Sequence, residues 1–272
     1  MNENRRIAAI AIVLLLGIGT AGYLLLRPAA EPAVAELPPA ITTGPDETAP
    51  LPAGAEAPPP SYPVPAVAAD AVPLPALADS DTPFMAALAS VFDPAALSAA
   101  LVSQQLVRRL VVTVDNLPRE RLAGNDRAFK RVPGTFLVKS RDGTVTASPA
   151  NEARYLAVLQ LVQMAGAENL ARLYLAWYPL FNQAYRELGY ADRQFNDRLV
   201  QVIDHLLATP AVEGPLELVQ PKVFYQFADA DLEARSVGQK MLIRMGAVNA
   251  GQAKRQLRAF RAAITGGAAP AP

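Results

Sequence analysis

The chain has 272 residues, no cysteine, one histidine, and 25 basic against 25 acidic side chains. These numbers exclude a disulfide framework and a thiolate metal site, and they argue against zinc and other histidine-dependent chemistry. The zero sum hides a segregation: net charge runs −7 over residues 1–100, +6 over 101–141, −6 over 142–233 and +7 over 234–272.

Residues 7–26, IAAIAIVLLLGIGTAGYLLL, carry no charge. As a helix rising about 1.5 Å per residue they span about 30 Å, the thickness of a bilayer's hydrocarbon core. Arg5 and Arg6 precede the run and Arg27 follows it. The positive-inside bias then keeps residues 1–6 in the cytoplasm, with everything beyond Arg27 across the membrane. A cleaved signal peptide ending at Ala33-Val34-Ala35 is the competing reading. Signal h-regions run about 7–15 residues, shorter than this one, so an uncleaved anchor is favoured. Gly17 and Ala21 form a small-xxx-small pair, which is ordinary in an apolar helix.

Residues 27–76 hold 14 of the 25 prolines among Ala, Glu and Val. Such a composition buries too little apolar surface to fold and favours extended polyproline conformations, so a disordered linker is expected. No charged anchor stands beside a PxxP core, which makes a spacer the better reading than a ligand for a proline-reading module.

The folded block is expected over residues 77–265, with a disordered tail at 266–272. Its periodicity predicts a mainly α fold with minor β content. Asp81 is positioned to cap a short helix through Phe84 and Leu88. Asp93-Pro94 opens a longer helix towards Val114, ended by Asn116-Leu117-Pro118. FLVKSRDGTVTAS reads as a hairpin turning at Asp142-Gly143. Ser148-Pro149 starts a helix to Met164, and others follow at 167–189, 193–208, 230–245 and 250–264. Gly246 is a C-cap glycine, Asn249 the next N-cap, and LELVQPKVFYQF allows a second short extended pair around Pro221.

Seven strings in this order, LPALADSD, VDNLPRE, NEARY, YPLFNQAYRELGY, FNDRLVQVIDHLLATP, FADADLE and GQKMLIRMGAVNA, resemble a bacterial envelope family catalogued as domain of unknown function 3014. The resemblance runs from Leu74 to Ile264. It implies a layout of membrane segment, Pro-rich linker and one domain, and it supplies no activity and no catalytic residues.

The residues themselves offer little catalytic chemistry. His205 has neither a GxSxG elbow nor a cysteine beside it and lies at the edge of the apolar face formed by Phe195, Leu199, Val202 and Leu206. Asp204 points away from that face. FADADLE lacks calcium-loop spacing, so Asp229 and Asp231 read as helix N-terminal acids. Phosphate-binding glycine motifs are missing. Glycoside cleavage needs two carboxyls about 5–10 Å apart, and Glu168, Glu187, Asp192 and Asp204 are the acids available. No cofactor is implied.

The basic segments place Arg108, Arg109, Arg119 and Arg121, with Lys130, Arg131, Arg244, Lys254, Arg255 and Arg258, as a candidate electropositive face for anionic envelope polymers or head groups. The alternative is that they pair with the acidic middle of the domain or face water. AWYPLFNQAYRELGY holds the single tryptophan and an in-helix proline. At about 100° per residue, Leu170, Tyr174, Trp177, Tyr185 and Leu188 fall within about 40° of Phe181, with Pro179 on the far side. That is a core stripe, and Trp177 and Tyr178 beside the proline are the candidate ligand contacts.

Together these expectations describe a single-pass inner-membrane protein with a mainly helical periplasmic domain. Its role would be binding or scaffolding rather than catalysis. The lipid bilayer, through residues 7–26, is one partner, and peptidoglycan or another envelope protein the other. Nucleic acid is not expected. The alternative is a carboxylate-dependent enzyme that processes cell-wall glycan.

Overall fold

The computed structural model describes residues 59–64, 73–120, 127–130 and 135–267. The expected anchor at 7–26 lies outside them. No helix among the described residues is long and apolar enough to cross a membrane.

The described chain is mainly helical with a small antiparallel sheet. Its helices are α1 (Asp81–Ala89), α2 (Pro94–Ala100), α3 (Leu106–Asn116), α4 (Ala153–Ala165), α5 (Ala167–Glu187), α6 (Phe195–Leu207), α7 (Ala230–Glu233), α8 (Val237–Arg244) and α9 (Ala247–Ile264). The strands are β1 (Val138–Arg141), β2 (Thr144–Ala147), β3 (Glu217–Val219) and β4 (Gln226–Phe227). The long helices α5 and α9 pack against each other at the centre, with α3, α4 and α6 around them.

Local chemistry explains where most elements start. The Asp93 carboxylate accepts the Ala96 N–H at 2.9 Å and Pro94 follows it in the first turn, as expected. The helix it opens ends at Ala100, however, not Val114. Gln105 adopts φ 53°, which breaks the path before α3 begins. The Asp81 carboxylate does not cap α1. It reaches across to accept the N–H groups of Gln105 (2.7 Å) and Leu106 (2.8 Å), so it caps α3 and stabilises that break.

A similar split divides the helix expected over 230–245. Asp229 caps α7 and Ser236 caps α8, the latter through the Gln239 N–H at 3.3 Å. Gly246, at φ 82°, leads directly into α9. Asn249 therefore is not a cap: it lies buried inside α9 and donates to the carbonyls of Glu152 and Met245. Glycine at 246 also meets a spatial demand, because a Cβ there would stand 2.3 Å from the Glu152 carboxyl carbon.

The two hairpins form one sheet in the order β1-β2-β3-β4. Asp142 and Gly143, both at positive φ, turn β1 into β2. Val145 pairs with Leu218 to join that hairpin to β3, and Leu218 pairs with Phe227 on β4. Sequence proximity implied two separate hairpins; the β2–β3 pairing spans about 70 residues and is a tertiary decision. Leu218, Phe227 and Ile243 form the buried centre of this lobe, a far smaller cluster than the one inside the helices.

The folded unit also begins earlier than residue 77. Leu74 and Tyr62, both within the expected linker, pack against the main core. At the other end Gly266 and Gly267 close α9, with the Gly267 N–H on the Ala262 carbonyl at 2.9 Å; residues 268–272 lie outside the described residues.

Candidate functional site

Helix α5 carries the aromatic stripe. Phe84, Tyr174, Trp177, Phe181, Phe195 and Phe260 contact one another in a chain of ring pairs, among them Phe84–Trp177 at 4.8 Å and the stacked Phe181–Phe195 at 5.9 Å. Trp177 is 8 % exposed. It is a core residue and offers no stacking platform, because Phe84 of α1 covers its ring. Pro179 lies exposed on the opposite face and α5 continues through it. Pro179 offers no helical donor to the Leu175 carbonyl, and Leu175 is only half-buried. Tyr178 is the half-buried member of the pair and donates to Gln194 Oε1 at 3.0 Å. Burial pushes its pKa up to about 12 against the lowering effect of the Asn196 backbone N–H.

Several of the basic residues expected to form a face have partners within the fold, although Arg108 and Arg119 keep 35 % and 55 % of their side-chain exposure. Arg108 pairs with Glu187 at 2.8 Å, which holds that carboxyl below its usual range. Arg109 donates to the Gln104 carbonyl at 2.9 Å. Arg119 and Arg198 converge on Asp115, at 2.8 and 2.7 Å, and the Tyr190 hydroxyl donates to the same carboxylate. Arg121 and Arg131 lie outside the described residues. Lys130 donates to the Ser98 carbonyl, Lys254 to the Thr209 carbonyl, and Arg244 stacks on Phe227 with its carbon 4.9 Å from the ring centre. Pairs such as Arg108–Glu187 and Arg261–Asp204 connect the basic segments to the acidic middle. Asp204, expected to point away from the apolar face of α6, is paired there with Arg261 of α9.

His205 lies half-buried with Nε2 2.8 Å from Ser236 Oγ. Burial, and then the charge of Arg198, lower its pKa, so the fold favours the neutral ring. Its ring partner is the serine that caps α8, whose Oγ also accepts the Gln239 N–H, and no carboxylate among the described residues bonds to the ring.

Two features among the described residues are candidate sites. The first is a crevice of about 350 Å³ where the α4–α5 turn meets α9. It opens into a shallower depression of about 820 Å³ that shares Gly166, Ala167 and Ala259 with it. The walls supply amides from Gln163, Gln252, Gln256 and Asn169, guanidiniums from Arg255 and Arg172, and one carboxylate, Glu168. Small residues on the floor let two helices approach closely and leave the crevice between their side chains. The Gln256 Oε1 atom is buried there without a hydrogen-bond partner. No pair of carboxylates lines either part, and among the described residues no cluster of His, Asp or Glu has metal-binding geometry.

The second feature is the corner between the start of α6 and the side of α9. Here Asn196, Asp197 and Arg261 meet a piece of the Pro-rich segment, Ser61-Tyr62. Neither group stood out by residue type in the sequence. One signal was present: Tyr62 is the only aromatic residue between Arg27 and Phe84.

A family model described as Protein of unknown function (DUF3014) matches residues 106–261, from the first residue of α3 to the arginine that contacts Tyr62. The match is narrower than the resemblance over Leu74 to Ile264 and leaves α1 and α2 outside. No curated protein and no solved structure matches the chain.

Proposed function

The chain belongs to the DUF3014 family of proteins of unknown function, and from that premise we propose that it is a membrane-anchored periplasmic binding or scaffolding protein of the bacterial envelope. Residues 7–26 are its single anchor, the Pro-rich segment is its spacer, and the helical body is the module that meets cell-wall polymer or another envelope protein. The observation that carries the binding role is the lining of the α5–α9 crevice. Side-chain amides and two guanidiniums match the hydroxyl, acetamido and carboxylate groups of a glycan–peptide polymer, and many such hydrogen bonds orient a polar ligand without transforming it. A hydrolytic reading needs two facing acids, and Glu168 stands there without a second carboxylate.

The test sediments purified peptidoglycan with the full chain in detergent, beside a pull-down from solubilised envelope. Cosedimentation, weakened at least tenfold by the double substitution Arg172→Ala and Arg255→Ala, supports the crevice as the binding surface. If the chain neither sediments with the polymer nor enriches an envelope partner, the proposal falls. Alkaline phosphatase fused after Pro272 reports the orientation: an active fusion is expected, and an inactive one overturns it.

A further inference from the structure

Residues 59–64, Pro-Pro-Ser-Tyr-Pro-Val, have three prolines in six positions. Proline fixes φ, so this stretch is biased towards an extended form that loses little conformational entropy when it is bound. Its two central residues are read in detail by the helical body. The Asp197 carboxylate accepts the Ser61 N–H at 3.0 Å and the Tyr62 N–H at 2.8 Å. The Asn196 amide donates to the Tyr62 carbonyl at 2.9 Å. The Arg261 guanidinium donates to the Tyr62 hydroxyl at 3.3 Å and lies 5.5 Å from its ring centre.

Two of the three reading groups, Asn196 and Arg261, are also held by contacts that do not involve the strap of residues 59–64. Asn196 is 0 % exposed and its Oδ1 takes the Tyr174 hydroxyl at 3.1 Å. Arg261 is 6 % exposed and is gripped by both Asp204 oxygens, at 2.7 and 3.1 Å. A site whose donors and acceptors are pinned from behind is preorganised for its ligand. What it holds is weakly buried by comparison: Ser61 is exposed and Tyr62 half-buried.

We infer that the α6–α9 corner is a recognition site for an extended Ser-Tyr-Pro segment, occupied in cis by residues 61–63 as a releasable clasp on the spacer. The cis occupant follows from reach. Tyr62 and Leu74 pack on the same core, and the 12 steps between them span up to about 40 Å when extended. A tether that short presents the strap at an effective concentration of millimolar order, so a contact of modest intrinsic affinity stays closed. A second segment of the same chemistry opens it only when it is supplied at comparable concentration.

The consequence for length rests on the anchored-spacer reading above; the site itself does not. With the clasp closed the free spacer stops at residue 60, and with it open the spacer runs to about residue 73. At about 3.1 Å per residue the maximum reach from Arg27 rises from about 100 Å to about 140 Å.

Because the chain has no cysteine, a Ser61→Cys, Arg258→Cys pair can carry two spin labels on the full chain in detergent. A single short distance is expected. Asp197→Ala, which removes the carboxylate that accepts both backbone N–H groups, is expected to move most of the population to a broad, long distribution while the helical circular dichroism is kept. The free hexapeptide PPSYPV at millimolar concentration is expected to do the same in the unsubstituted background, and PPSAPV is not. A short distance that survives both Asp197→Ala and the peptide overturns the inference, since the strap is then a fixed part of the fold. So does a short distance that appears between singly labelled chains after mixing, which places the occupant in trans. A working clasp in a chain whose phosphatase fusion is inactive keeps the site and removes its role in spacer length.

Discussion

The helical body and the four-stranded lobe are held together in different ways. In the body, rings from four helices interlock around α5, and the cluster of buried apolar residues runs from Leu77 to Ile264. In the lobe, strands of two to four residues enclose only Leu218, Phe227 and Ile243 at full burial. Hydrophobic stabilisation scales with the apolar area removed from water, so the body should unfold as the global unit and the lobe should open below it. The difference teaches where each kind of substitution will be felt.

The largest effect should come from the body. Trp177→Ala removes a ring packed on Phe84 and is expected to cost about 3–5 kcal/mol, measured as a shift in the denaturant midpoint of the whole domain. If polymer binding fell while stability stayed unchanged, Trp177 would be a contact residue after all. Leu218→Ala should cost about 2 kcal/mol, the low end for its type, because a small cluster collapses easily. Amide hydrogen exchange should rise in β1 to β4 and stay slow in α5 and α9; equal loss in both regions would mean that the lobe is not separable.

Polar contacts come next. Asp115→Ala takes the shared acceptor away from Arg119 and Arg198 and is expected to cost about 2 kcal/mol in thermal or chemical unfolding. Those side chains keep 55 % and 26 % of their exposure, so water offsets much of the buried-pair penalty. The smallest effect belongs to His205, which sits between the two regions through its bond to the cap of α8. Its folded pKa is below the ordinary 6.5, so the unfolded chain binds more protons as the solution becomes acidic. The neutral ring's contribution is complete above about pH 6.5 and is lost as pH falls towards the folded pKa. His205→Gln should abolish that slope. An unchanged slope would assign the acid sensitivity to carboxylates such as Glu187, whose depressed pKa places its own loss at lower pH.

Legibility in the sequence followed the range of the forces involved. The α5 stripe was readable because five turns of 3.6-residue periodicity place Trp177 and Phe181 on one face whatever they pack against. Asp93-Pro94, Asp142-Gly143 and Asp229 were readable because caps and tight turns are settled within a few residues. The break at Gln105 was not, since its cap, Asp81, comes from 24 residues away. Gly238 looked like any glycine in a helix, yet a Cβ there would approach Leu206 to 2.5 Å and the Leu117 carbonyl to 3.1 Å. Of the candidate contacts, Trp177 packs in the core, while Arg108, Arg109 and Arg119 have partners within the fold and Arg108 and Arg119 stay partly exposed, because pairing depends on which helices become neighbours.

The sequence by itself therefore determined the mainly helical class, the register of α5 and the short-range caps. It also determined that cysteine chemistry is excluded. Only the tertiary structure decided that the two hairpins share one sheet, that the arginines answer acids on other helices, and that Ser61-Tyr62 rests on Asn196, Asp197 and Arg261. The physical reason is the same in each case. Propensity and periodicity act over a turn or two of backbone, whereas inter-helix ion pairs, strand pairing and the strap join residues separated by 57 to 199 positions, whose proximity is created only by the packing of the core.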